Sequence, residues 1–172
     1  MNRSMKKGSA LWLCTAGLFM AANIAMSSFG VPVPGGHIYL NDIVIVAAAL
    51  LLDPVAAFCV GGIGSFLGDL FFYPTPMFVS LVTHGLQAVV IALFVRCFPA
   101  KHLKLAAWSG IAVGAAIMVA GYSIGRAFLY ATPETALIKL PYQIAQAVVG
   151  GLVGGFLGLK LRKITKLNTT GE

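Results

Sequence analysis

Long apolar runs, broken by short polar or Pro/Gly-rich connections, organise this sequence. Six runs are present, at about 9–29, 38–52, 54–72, 77–98, 106–130 and 141–161. A helix needs roughly 20 mostly apolar residues to cross about 30 Å of hydrocarbon, so each run predicts a spanning helix. The second run is short, and only Asp53-Pro54 separates it from the third. Proline disfavours helix in the residue before it and suits the first turn of the helix that follows. That predicts two helices joined by a tight turn, with a bent re-entrant hairpin as the alternative. The first run follows Arg3, Lys6 and Lys7, as in a signal peptide. It is too long for the apolar region of one, and five more runs follow, so it reads as a retained helix.

Composition supports the same picture. Of 172 residues, 59% are apolar and only 10% charged, against about 25% charged in soluble domains. An ordinary soluble enzyme, a disordered chain and a secreted disulfide scaffold are excluded. The expected fold is an all-α membrane protein, one transmembrane domain over residues 1–172 built as a six-helix bundle.

The net charge of +7 would suggest nucleic acid as a partner in a soluble domain. The placement of the basic residues gives another explanation, and no nucleic acid is expected. Arg3, Lys6 and Lys7 precede the first run; Arg96, Lys101 and Lys104 flank the fourth connection; Lys160, Arg162, Lys163 and Lys166 follow the sixth run. With six spans these ten of the twelve Lys and Arg residues share one side. Cytoplasmic connections are the ones enriched in Lys and Arg, so both termini are expected in the cytoplasm. Attraction to anionic membrane lipid is a secondary consequence. Of the other two, Lys139 falls in an opposite connection and Arg126 inside a span.

Several conspicuous residues read as packing. Cys14, Cys59 and Cys97 form no Cys-x-x-Cys, and His37, His84 and His102 are scattered, so neither a metal nor another cofactor is expected. The glycines between Gly61 and Gly68 lie inside an apolar run, where they allow helices to approach closely. Gly150, Gly154 and Gly158 make a small-residue face on the sixth helix. Gly17, Ala21 and Ala25 make another on the first, either for internal packing or as a docking groove for a partner's helices. No phosphate-binding loop is present, so if the protein drove active transport with ATP, the ATPase would have to be another chain.

Polar residues inside the runs carry more information. A charge at the bilayer centre costs at least about 2.5 kcal/mol, so it has a partner, a cavity or a purpose. In the six-span topology Asn41 and Asp42 begin the second helix at its outer end, and Asp69 lies near the outer end of the third. His84 and Gln87 share a face of the fourth helix, and Tyr122, Arg126 and Tyr130 a face of the fifth. Tyr142, Gln143 and Gln146 lie at the outer start of the sixth. The inner halves hold Ala, Gly, Val, Leu and Ile instead. Polar groups from five helices thus share one depth, which predicts a polar pocket opening outwards and sealed below. The alternative is that Arg126 pairs with Asp69 or Asp42 for its own sake while the amides reach interfacial water. Amides, imidazole and tyrosine faces suit a small heterocycle with several polar edges. The Pro/Gly-rich loop at 29–40 lies beside this pocket, as a lid or as a connector on the lipid interface.

Tyr39-Leu40-Asn41-Asp42 leads into Ala47-Ala48-Ala49-Leu50-Leu51-Leu52-Asp53-Pro54-Val55-Ala56-Ala57. The Gly61–Gly68 stretch with Asp69-Leu70, Tyr73-Pro74 and the segment from Pro141 to Gln146 follow. In this order the motifs resemble the substrate-binding S components of energy-coupling factor (ECF) vitamin transporters, nearest the riboflavin-type group. The resemblance implies a bacterial plasma-membrane protein that captures a vitamin or vitamin precursor outside. It also implies a separate transmembrane scaffold subunit and two cytoplasmic ATPase subunits. The family's Ala-x-x-x-Ala scaffold contact matches Gly17-x-x-x-Ala21 or Ala21-x-x-x-Ala25. Where relatives carry a Lys-Gly-Leu-Glu-like stretch, this chain has His84-Gly85-Leu86-Gln87, neutral in place of a charge pair. A self-sufficient secondary transporter or channel is the competing reading. An embedded enzyme would need a nucleophile–base or metal constellation, which His84 alone does not supply.

Overall fold

The computed structural model of the chain describes residues 7–165. Arg3, Lys6 and Lys166, part of the expected basic pattern, lie outside that range. Six helices follow one another: α1 (Ala10–Ser27), α2 (Asn41–Leu51), α3 (Pro54–Phe72), α4 (Met77–Cys97), α5 (Leu103–Tyr130) and α6 (Pro133–Thr165). An antiparallel hairpin, β1 (Val31–Val33) and β2 (Gly36–Ile38), joins α1 to α2. It turns at Pro34-Gly35, where Gly35 takes a left-handed φ of 81° that a side chain would resist.

Five helices, α1 and α3 to α6, are long and apolar enough to cross a membrane. The expected second span is different: its first residues belong to the hairpin, and α2 has 11 residues, a rise of about 16 Å. Nine of those residues are buried, with α6, α1 and α4 packed around them. A helix apolar on all sides is an interior helix.

Asp53 makes the break between α2 and α3. Its carboxylate accepts from the backbone N–H of Val55 (3.0 Å) and Ala56 (3.3 Å), capping α3 with Pro54 in the first turn. The Trp12 indole N–H also donates to it and ties in α1. Arg162 Nη1 satisfies the Leu50 carbonyl at the end of α2 (2.8 Å).

Small residues decide how closely the helices approach. A π turn interrupts α3 at Cys59–Ile63, and buried Asn23 of α1 donates to its Val60 carbonyl at 2.7 Å. A Cβ on Gly61 would stand 2.7 Å from the His84 carbonyl, and one on Gly154 2.7 Å from that of Ile43. The glycines of α3 are therefore internal seams, onto α4 at Gly61 and Gly62 and onto α1 at Gly64 and Gly68, and Gly150, Gly154 and Gly158 of α6 form a seam onto α2. On α1 the buried face holds Ala16, Asn23 and Ser27, whereas Ala21 and Ala25 are exposed and a Cβ on Gly17 would meet nothing.

The last helix corrects the expected start at Pro141. It begins at Pro133, where the Thr132 hydroxyl accepts from the Thr135 N–H (3.4 Å), and Pro141 lies inside it. Residues 133–140 are helix rather than loop, which carries Lys139 into the bundle. The fifth helix also starts earlier than expected, at Leu103.

Candidate functional site

Because the helices alternate in direction, one end of the bundle collects the hairpin, the starts of α2, α4 and α6, and the ends of α3 and α5. A cavity of about 290 Å³ lies between them, close to the lower limit of small-molecule sites, about 300 Å³. Beyond it Ile45, Val46, Ala88, Ile91, Ala92 and Ile111 fill the interior.

Of the residues singled out from sequence, Asn41, His84, Tyr122, Arg126, Gln143 and Gln146 line this cavity. Asp69 and Tyr130 join them. Gln87 and Tyr142 do not. Gln87 is buried one layer back, behind His84. Tyr142 is half-buried and off the wall. The face of α6 that meets the cavity carries Lys139, Gln143 and Gln146, at positions i, i+4 and i+7.

Sequence reasoning missed Lys139, which it put in a loop, and Tyr39, Tyr73 and His37 of the wall. Thr132-Pro133-Glu134-Thr135 was the available signal: a threonine cap, proline in the first turn and an early acidic residue. The extra helical turns bring the Lys139 ammonium to the His37 carbonyl, to which it donates, and seat Gly35 against Lys139.

Three polar networks build the wall. Tyr122 and Asp69 both bond the Ser80 hydroxyl, which donates to the carboxylate. Arg126 donates to Gln143 Oε1 at 2.9 Å and stands 5.6 Å from the centre of the Tyr130 ring; neither Asp69 nor Asp42 is its hydrogen-bond partner. Gln143 Nε2 donates in turn to the Val119 carbonyl (2.8 Å). The third network runs from His84 Nδ1 to Gln87 Oε1 (2.7 Å), from Gln87 Nε2 to Asp42 Oδ1 (3.1 Å), and from Gln146 Nε2 to Asp42 Oδ2 (2.7 Å). Gln146 Oε1 accepts from the Tyr39 N–H at 3.2 Å, which attaches the hairpin to α6.

Burial, with Asp69 and Tyr73 nearby, pushes the Tyr39 hydroxyl up to about 12, so it stays a neutral donor. Asn41 Oδ1 has no hydrogen-bond partner among the described residues. A bond left unmade in this way costs about 1–3 kcal/mol. Arg126 and Lys139 bring positive charge, Asp69 a carboxylate and four tyrosines flat faces. The arrangement suits a compact planar molecule with both donors and acceptors on its edges.

The family described as "ECF-type riboflavin transporter, S component" matches residues 8–163. A protein of Pyrococcus woesei, described as an uncharacterized protein in the gap 3' region, is 33% identical over 135 residues, covering 77% of this chain and 88% of that protein. The family match spans all six helices and the hairpin. This multi-pass membrane chain belongs to the ECF-type riboflavin transporter S-component family: it is a vitamin-transporter substrate-binding subunit, not an enzyme.

Proposed function

We propose that the chain captures a vitamin or vitamin precursor at the outer face of the cell membrane, as one subunit of an ATP-driven importer. A single observation carries this reading: polar side chains from five helices converge on a cavity at the hairpin end, and apolar packing fills the bundle beyond it. A secondary transporter or channel would need a polar route through that core.

The described basic residues support the orientation. Lys7, Lys101, Lys104, Lys160 and Lys163 all belong to the end away from the hairpin. With that end in the cytoplasm, the cavity faces outside and the hairpin lies over it as a lid. His84, Asn41, Tyr122, Arg126, Gln143 and Gln146 contact the ligand, and Gln87 acts behind His84. Gly17, Ala21 and Ala25 form an open strip on α1 that fits a helix of the scaffold subunit, through which two cytoplasmic ATPases act.

Mass spectrometry of material copurified with the protein tests the substrate, and uptake assays test the assembly. A compact heterocycle should copurify, and uptake should require the scaffold and ATPase pair. Uptake by the chain alone would favour a self-sufficient transporter.

A further inference from the structure

Asp42 is 1% exposed and forms no part of the cavity wall, yet Gln146 of the wall and Gln87 behind it both depend on it. It receives the amide nitrogens of Gln87 at 3.1 Å and Gln146 at 2.7 Å. Both amides turn their NH₂ groups towards its oxygens, which accept, and their carbonyl oxygens away. The Gln87 carbonyl then meets His84 Nδ1 at 2.7 Å. A carbonyl oxygen cannot donate, so Nδ1 carries the proton. Asp42 Oδ1 is 3.8 Å from Nδ1 and already receives Gln87; Asp69, Arg126 and Lys139 are the other charged groups of the wall. In a neutral ring protonated at Nδ1, Nε2 is a bare acceptor. Nε2 has no hydrogen bond among the described residues, and the His84 ring is part of the wall.

We infer that Asp42 is a positioning residue: through Gln87 it fixes the neutral imidazole of His84 as the Nδ1–H tautomer, so that Nε2 accepts and the ligand must place an N–H or O–H donor against it. The ligand half of this inference rests on the cavity being the substrate site; the tautomer half does not. It narrows the ligand to a molecule with a donor edge, such as a ring amide, an amino group or a hydroxyl.

Nitrogen NMR of the full chain, labelled with ¹⁵N-histidine and held in lipid nanodiscs at neutral pH, tests it directly. Protonated and bare ring nitrogens resonate far apart, and the signals that vanish in His84→Gln belong to His84. The expected spectrum has Nδ1 protonated and Nε2 bare. In Gln87→Leu, and in Asp42→Asn if that variant folds, the proton should shift wholly or partly to Nε2. Nε2–H or a doubly protonated ring in the unaltered protein overturns the inference, as does an unchanged Nδ1–H signal in a folded Gln87→Leu protein. Because the spectrum needs no ligand, its failure is distinct from a failure to copurify a vitamin-like compound.

Discussion

Asp53 has several functions at one position. It ends α2, caps α3 and accepts from Trp12 of α1. Burial pushes its carboxyl upwards, but the hydrogen bonds from Trp12, Ala56 and Val55, with Arg96 nearby, outweigh that and hold it below the ordinary carboxylate range. A carboxyl lowered by folding stabilises the fold fully above its unfolded-state value and loses that contribution as pH falls through its folded value. Thermal melts of the purified protein should therefore show a stability loss on acidification that is smaller in Asp53→Asn; an equal loss in both would contradict this role. The Asp53-Pro54 break was readable in the sequence because capping is local. Gln87 was misread as wall because helical period gives a side chain's face but not its layer. His84 stands between it and the cavity. Lys139 was missed because Pro141 reads as a helix start, whereas the Thr132 cap begins the helix two turns earlier.

At the scale of elements, glycines and alanines distinguish inner seams from an open face. On α6, a Cβ on Gly150 would collide with the Asp42 side chain, and one on Gly158 would stand 2.8 Å from Leu50 Cδ1. Gly150→Ala should destabilise the protein by about 1–3 kcal/mol through overpacking. A lower melting temperature, with weaker binding because Asp42 is displaced, is the expected result; unchanged melting would show that α2 and α6 separate easily. On α1, Ala21→Trp should leave ligand binding by the isolated chain nearly intact and abolish uptake in the assembled transporter, since the bulky ring fills an open strip. Loss of both together would show that the strip serves folding. The small-residue spacing was visible in the sequence on both helices. Which spacing faces inwards depends on neighbours that spacing does not name, and the same limit hid α2, an apolar run that is an 11-residue interior helix.

For the whole molecule, orientation and the cavity stand or fall together. With a reagent that cannot cross the membrane, a single cysteine introduced at Pro34 in the hairpin should label in intact cells, and so should one at Glu134, exposed at the start of α6. One at Lys101 should label only after the cells are opened. Labelling of Lys101→Cys from outside would reverse the topology and put the cavity in the cytoplasm. The affinity of the copurified compound for His84→Ala and Gln146→Ala, compared with Ser109→Ala at the far end of α5, tests the central claim most directly. Removing a hydrogen-bonding group from the site should cost about 1–3 kcal/mol, roughly a 5- to 150-fold weaker Kd, for the first two. Ser109→Ala should bind like the unaltered protein. Unaltered affinity in both folded cavity variants would contradict the account, leaving these polar residues as structural partners only.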